Sequence, residues 1–223
     1  MVFVVSTFMV PSVPVRAAVS VAENASLSAT SVDDDDDEPR FSRDRYSSSI
    51  RRKINQLDDD PVTNLPIPIL LGVRVVNLQK NFGDPRDGGS RDHEGLDIFA
   101  PRGAFVSSPT EAVVTRVGKG GSAGIYVYTA GPGNETFAYL HLDSVAEGVK
   151  AGTVLDVGDL IGYVGNTGNA SATVPHLHFE IRKNRRPTDP YPRLTREFTI
   201  AERIDALTEI LKDLQEQLRK AQD

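Results

Sequence analysis

The sequence contains no cysteine. That absence excludes disulfides, cysteine-ligated zinc and a cysteine nucleophile, and it removes the acceptor of a lipoprotein anchor. Any metal is left to histidine and carboxylate ligands. Basic charge is short as well: 25 Lys and Arg against 31 Asp and Glu give a net charge of -6. No surface of the kind that a phosphate backbone requires is expected, and nucleic-acid binding is excluded. Also missing is a run of roughly 20 uninterrupted apolar residues, the length needed for a stable membrane span. The nearest approach is the apolar stretch of residues 1–15, followed by the small residues Ser20, Val21 and Ala22, which reads as a signal peptide over residues 1–22. No Lys or Arg precedes that stretch, and Pro11 and Pro14 interrupt it, which points to a start codon upstream of Met1. The chain is expected in the cell envelope, in the periplasm or outside the cell.

With 223 residues, the chain can bury one sizeable core, and one main domain is expected. Residues 23–61 are rich in Ser, Asp and Arg, with consecutive aspartates at 33–37. Such a run repels itself and stays solvated, so this segment reads as a disordered acidic linker, with a short helix within 47–57. From 62 to 194 the pattern turns to short apolar or alternating runs bounded by Gly, Pro, Asn or Asp, the pattern of an all-β domain. Strands are expected at 72–78, 112–117, 125–129, 136–142, 160–164 and 176–182, with turns at 118–121, 131–134 and 166–169. No helix of useful length fits between them, and no internal repeat is present. In the last segment, 195–223, apolar residues Ile200, Ile204, Leu207, Ile210, Leu211, Leu214 and Leu218 recur at threes and fours among charges, which predicts an amphipathic helix. Its stripe through 200–218 is expected to pack back on the domain. Self-association or a partner helix is the alternative, because three heptads are marginal for a free coiled coil.

All four histidines, His93, His141, His176 and His178, fall inside the β region. Alternate residues of a strand face the same side, so His176 and His178 project together while Leu177 and Phe179 point into the core. The same argument puts Tyr139 and His141 on one face, and Leu140 and Leu142 on the other. His93 opens the run His93-Glu94-Gly95-Leu96-Asp97, where Gly95 is expected to let the backbone bend so that an imidazole and a carboxylate converge. Zinc suits this inventory: a catalytic zinc takes three His or carboxylate ligands, keeps a fourth position for water, and lowers the pKa of that water to about 7. A lone His-x-His or His-x-x-x-Asp is weak evidence, since such pairs are often structural. Their combination in a chain whose few histidines all lie in one domain is much stronger. Spacing alone leaves open which of His176 and His178 binds the metal.

These residues sit in a longer set of motifs: Asn81-Phe82-Gly83-Asp84-Pro85-Arg86, the run from His93 through Asp97 to Gly103, Tyr139-Leu140-His141-Leu142, the run from Gly162 to Asn169, Pro175-His176-Leu177-His178-Phe179-Glu180-Ile181 and Asp189-Pro190-Tyr191-Pro192. In order and spacing the set resembles the lysostaphin or LytM-type zinc metalloendopeptidases that cleave peptidoglycan peptides. The resemblance implies a lysostaphin-like antiparallel β-sheet domain with a glucose-permease-like hybrid motif over 62–194. It implies His93, Asp97 and His178 as ligands of one zinc ion, and His141 and His176 as catalytic histidines. Ala112, Leu140 and the pair Ala104-Phe105 depart from the usual pattern, which touches loop shape and substrate preference rather than the metal. Glu180 shares a face with His178 and reads chiefly as an exposed strand residue, with a hydrogen bond to a metal ligand as the alternative.

The expected activity is hydrolysis of an amide in the stems or cross-links of peptidoglycan, and the stretch 82–86 looks like relatives that cut between D-alanine and diaminopimelate. Two other readings stand beside it: a catalytically inactive adaptor that activates amidases at the wall, and a structural wall-binding module. The adaptors of this fold have lost zinc ligands that are present here, and a wall-binding module leaves the four histidines unexplained. The segment before Val62 is a candidate inhibitory stretch.

Overall fold

The computed structural model describes residues 46–222. The expected signal peptide, the aspartates at 33–37 and the linker up to residue 45 lie outside the described residues.

Nine strands form the main sheet: β1 (Leu96–Phe99), β2 (Phe105–Ser107), β3 (Ala112–Gly120), β4 (Gly124–Gly131), β5 (Glu135–Val145), β6 (Val154–Leu155), β7 (Leu160–Val164), β8 (His176–Lys183) and β9 (Arg186–Thr188). The order along the sheet is β9-β8-β5-β4-β3-β6. β1 shares with β9 the edge of β8 that faces away from β5, and β7 bridges β5 to β2. All these pairings are antiparallel. Alternation builds the core: Leu177, Phe179 and Ile181 of β8 meet Phe137 and Tyr139 of β5, Leu96 and Ile98 of β1, and Val114 and Val127. Phe179 stacks on Phe137 with centroids 6.0 Å apart and tilts against Tyr139 at 5.4 Å. Full burial of one such ring contributes on the order of 2 kcal/mol.

The expected strands at 112–117, 125–129, 136–142, 160–164 and 176–182 are all present, several extended by a few residues. Residues 72–78 are not a strand. Val75–Asn77 form one turn of 3-10 helix, and the Val75 N–H donates to the Glu197 carboxylate at 3.0 Å instead of to a ladder. Val73, Val75 and Leu78 supplied the apolar pattern, yet they pack on the core from a segment with no neighbouring strand. β1 and β2, too short to signal themselves, were not foreseen.

The alternation expected for Tyr139 to Leu142 is also overturned. Tyr139 and Leu142 both belong to the core, and Leu140 lies opposite His178 on the other face. The phase flips because His141 has φ 62, a left-handed conformation, beside register shifts to both neighbouring strands. A residue so placed acts as a bulge and turns the following side chains over.

Two helices lie against the sheet. α1 (Ser48–Ile54), expected within 47–57, is capped by Ser47 and sets Ile54 on Val113 and Ala130. α2 (Ile200–Lys220) starts at a capping box of Thr199 and Glu202, which satisfies two of the first-turn N–H groups. Ala206 and Ile210 are its buried residues, packed with Leu70, Phe198, Phe105 and Leu160. Among the described residues no helix is long and apolar enough to cross a membrane.

Candidate active site

The site is built on the face of β8 opposite the core. His176, His178 and Glu180 share that face, and the β1–β8 register places Asp97 opposite His178 and Phe99 opposite His176. His93 arrives from the loop before β1, fixed at its backbone: its N–H donates to Asp84 O and its carbonyl accepts from Gly83 N–H, both at 2.9 Å. Gly95 acts differently from the expectation. It has no left-handed φ; instead a Cβ there would stand 2.6 Å from His178 Nε2 and from the Phe179 carbonyl. Glycine is needed for close approach, not for a bend.

His93 Nε2, Asp97 Oδ1 and His178 Nδ1 form a small triangle with edges of 2.9, 2.9 and 3.0 Å. The other nitrogen of each imidazole identifies the tautomer. His93 Nδ1 faces the Asn81 carbonyl at 2.5 Å, and His178 Nε2 faces Glu180 Oε1 at 3.0 Å. Both oxygens can only accept, so these nitrogens carry the protons and the two lone pairs turn inward, toward a carboxylate oxygen. Three acceptors converging in a buried place call for a cation, and the ligand atoms of His93, Asp97 and His178 lie close enough together to hold one. A tetrahedral ion with bonds of about 2.1 Å separates its ligands by roughly 3.4 Å, so the triangle needs to open by only a few tenths of an ångström.

The electrostatics agree. Burial raises the Asp97 pKa, but the imidazoles of His178 and His93 beside it outweigh that effect and hold the carboxyl far below its usual range. Burial pulls His178 down, while the carboxylates of Asp97 and Glu180 hold it up, at about 9. A divalent cation bound there would displace the second proton that these carboxylates favour on His178 and free its Nδ1 lone pair.

His141 and His176 flank the triangle. Their ring centroids are 5.2 Å apart, His141 lies 5.7 Å from His178, and His176 Nε2 is 3.8 Å from Asp97 Oδ1. Each donates Nδ1–H to a backbone carbonyl, His141 to Thr167 at 3.0 Å and His176 to Val174 at 2.8 Å, which leaves Nε2 as the acceptor. Burial, with the fields of His178 and His176, lowers the His141 pKa to about 4, so His141 is a neutral base at neutral pH. All five residues singled out in the sequence are therefore brought together.

Several supporting residues were missed or misjudged. Glu180 is buried at 5% exposure, not an exposed strand residue. Burial raises its pKa, and contact with His178 and Arg182 lowers it below the ordinary value. Arg182 Nε donates to Glu180 Oε2 at 2.6 Å, and its guanidinium also reaches Glu94. Arg86 donates to Asp97 Oδ2 at 2.7 Å, leaving Oδ1 for the triangle. Asn81 accepts the Asp97 N–H on its side chain at 3.1 Å. The period-2 pattern of β8 carried a signal for Glu180; Asn81 and Arg86 stood in the first of the family-like motifs, which gave neither residue a contact with Asp97.

A buried His/Asp cluster flanked by two further histidines on a β scaffold is the class of site that metal-dependent hydrolases use. Residues 91–190 match the sequence model of Peptidase family M23. A solved structure of LytU is 33% identical, with 51% of this chain and 80% of that chain covered and a TM-score of 0.45. A structure from Ruminococcus gnavus ATCC 29149, named for a glycyl-glycine endopeptidase lytM, is 32% identical over 66% of this chain and 63% of its own, with a TM-score of 0.50. The L-Ala--D-Glu endopeptidase of Bacillus subtilis strain 168 is 34% identical over 139 residues, 58% of this chain and 42% of that protein, so the chain spans less than half of that relative's length. Residues 91–190 therefore form a Peptidase family M23 domain, as the motifs led us to expect.

Proposed function

We propose that this chain is a zinc-dependent endopeptidase that hydrolyses amide bonds in peptidoglycan peptides, with 62–194 as its catalytic domain. The triangle of His93 Nε2, Asp97 Oδ1 and His178 Nδ1 carries the reading: its three acceptor atoms lie within 3.0 Å of one another. A zinc ion held by these residues would supply a Lewis acid for the scissile carbonyl and a water acidified to a pKa of about 7. Two imidazoles and one carboxylate suit zinc, although nitrogen and oxygen ligands also accept other divalent metals. His141, neutral and fixed through Nδ1–H to Thr167 O, would take a proton from the attacking water at Nε2 and pass it to the leaving amine. His176, fixed through Nδ1–H to Val174 O, would accept a hydrogen bond from the attacking water at Nε2 and orient it beside His141.

The substrate class is supported by the name of the Bacillus relative, which cuts between L-Ala and D-Glu; the resemblance of residues 82–86 favours a D-alanine–diaminopimelate bond. Digestion of intact peptidoglycan by the full chain, with fragment masses read by mass spectrometry, distinguishes the two bonds. Cutting that stops on chelation and in His178→Ala supports the proposal. A folded, zinc-loaded chain that cuts no wall type would refute it and favour the amidase-activating adaptor. Action on peptidoglycan would put the protein in the periplasm or outside the cell, which fractionation of cells tests.

A further inference from the structure

We propose that α2 pairs with α2 of a second copy of this chain through an apolar seam that, among the described residues, is left largely uncovered. The seam consists of Ile200, Ile204, Leu207, Leu211, Leu214 and Leu218. Five of them are well exposed: Ile200 76%, Ile204 57%, Leu211 57%, Leu214 50% and Leu218 61%. Ala206 and Ile210, which hold α2 to its own domain, lie about a quarter turn away around the helix, and Leu207, half-buried against the same cluster, borders both faces. The helix therefore carries two apolar faces, and one of them is already used.

The seam has the alternating spacing of four and three that keeps a stripe facing a partner helix along a left-handed supercoil. Its flanks point to an identical partner. Ala201, Thr208 and Gln215 lie on one side, and Arg203, Ile210 and Gln217 on the other. Flanking charges set partner choice through ion pairs between helices; here Arg203 is the one charged flanking residue, so the helix carries no charge pattern that calls for a complementary partner and none that repels its own copy. The remaining charges, from Glu202 and Asp205 to Arg219 and Lys220, occupy the outer positions, where Lys212–Glu209 and Lys220–Glu216 pair within the helix at 3.1 and 3.0 Å. A lipid surface is a poor match, because that outer face carries acids and bases together rather than the Lys and Arg excess of membrane-seated helices.

The spacing is also symmetric about the point midway between Leu207 and Leu211. A two-fold axis there sets Ile200 against Leu218, Ile204 against Leu214 and Leu207 against Leu211 in antiparallel helices, so each contact occurs twice, as an isologous interface requires. A dimer of this kind places two sites on one polymer, and binding of the first raises the effective concentration of the second.

Sedimentation of the full chain tests the pairing. The expected weight-average mass rises toward twice the chain mass with concentration, and in the double variant Leu211→Glu, Leu214→Glu it stays at one chain mass with unchanged circular dichroism. The native chain supplies no cysteine, so Ile200→Cys and Leu218→Cys chains can be mixed and oxidised cleanly; the antiparallel pair predicts the mixed disulfide. A wild-type chain that is monomeric at its highest soluble concentration overturns the proposal and leaves the seam to a partner of another sequence. A double variant that still dimerises overturns it by placing the interface elsewhere, and disulfides between two Leu218→Cys chains overturn the two-fold antiparallel arrangement.

Discussion

Gly95→Ala tests the geometry of the triangle without touching a proposed ligand. The backbone at Gly95 is not left-handed, so alanine meets no conformational penalty there. The obstacle is contact: the new Cβ would stand 2.6 Å from His178 Nε2, 2.6 Å from the Phe179 carbonyl and 2.9 Å from His178 Cε1. Ordinary van der Waals contact begins at 3.4 Å, so something must yield by about 0.8 Å. The Phe179 carbonyl is held within β8, which leaves the imidazole or the loop of His93 to move. Either motion stretches contacts of 2.9 to 3.0 Å among His93, Asp97, His178 and Glu180. Overpacking of this kind costs about 1–3 kcal/mol of stability, and a misplacement near 1 Å at a reacting centre lowers turnover by about 100-fold. The measurements are zinc affinity by competition with a chelating dye, turnover on peptidoglycan and thermal unfolding. Gly148→Ala is the control: φ is +78 with nothing near the added Cβ, so it should lose about 1 kcal/mol of stability and keep its zinc. Native zinc affinity and turnover in Gly95→Ala would refute the reasoning.

Three further outcomes follow from the same contacts. Glu180→Gln removes the charge that fixes the His178 tautomer, and zinc affinity should fall by about 10–100-fold; an unchanged dissociation constant would show that the tautomer is fixed elsewhere. His141→Ala should keep its zinc while turnover falls by about 100-fold or more, and metal content measured beside rate separates this from loss of a ligand. At the α2 cap, Arg196 holds the Glu202 pKa at about 2 against an ordinary 4.5. A carboxylate depressed on folding contributes stability above its unfolded pKa and loses it as pH falls, here between about 4.5 and 2. Because the pair is only partly buried and remains open to solvent screening, the loss should stay below about 1 kcal/mol. Denaturant titrations across that range should show the loss in the native chain and not in Glu202→Gln.

Sequence made the site legible where chemistry lies along one strand or one short run. The alternation of His176, Leu177, His178, Phe179 and Glu180 decided which side chains face the site, and the β8 ladder follows it. The four histidines, in a chain without cysteine, limited the metal ligands to few combinations. Features that depend on partners distant in sequence stayed hidden. The Glu180–Arg182–Glu94 chain needs the loop before β1 brought beside β8, and the Arg86 contact to Asp97 needs a hairpin whose two strands are two residues each. Residues 72–78 misled for the converse reason: an apolar pattern shows what packs inward, not whether a neighbouring strand is there to receive hydrogen bonds.

His141 joins these two lessons. A non-glycine residue in the left-handed region costs roughly 1–2 kcal/mol, and such outliers persist only where their surroundings over-determine them. The surroundings here do so: the His141 N–H donates to Ala123 O at 3.0 Å, Nδ1–H reaches Thr167 O at 3.0 Å, and the Thr167 hydroxyl is itself held between Ile125 N–H and Leu142 O, both at 2.8 Å. Strict alternation past Tyr139 would have sent this imidazole to the core side of the sheet with Tyr139. The bulge turns it to the side of His176 and His178, while Leu142 returns to the core. A sequence pattern of period two cannot express that reversal, because one residue's φ decides it and contacts from β4 and the 166–169 turn maintain it. The strain is thus the structural condition for a third imidazole to reach a face that its own strand would have denied it.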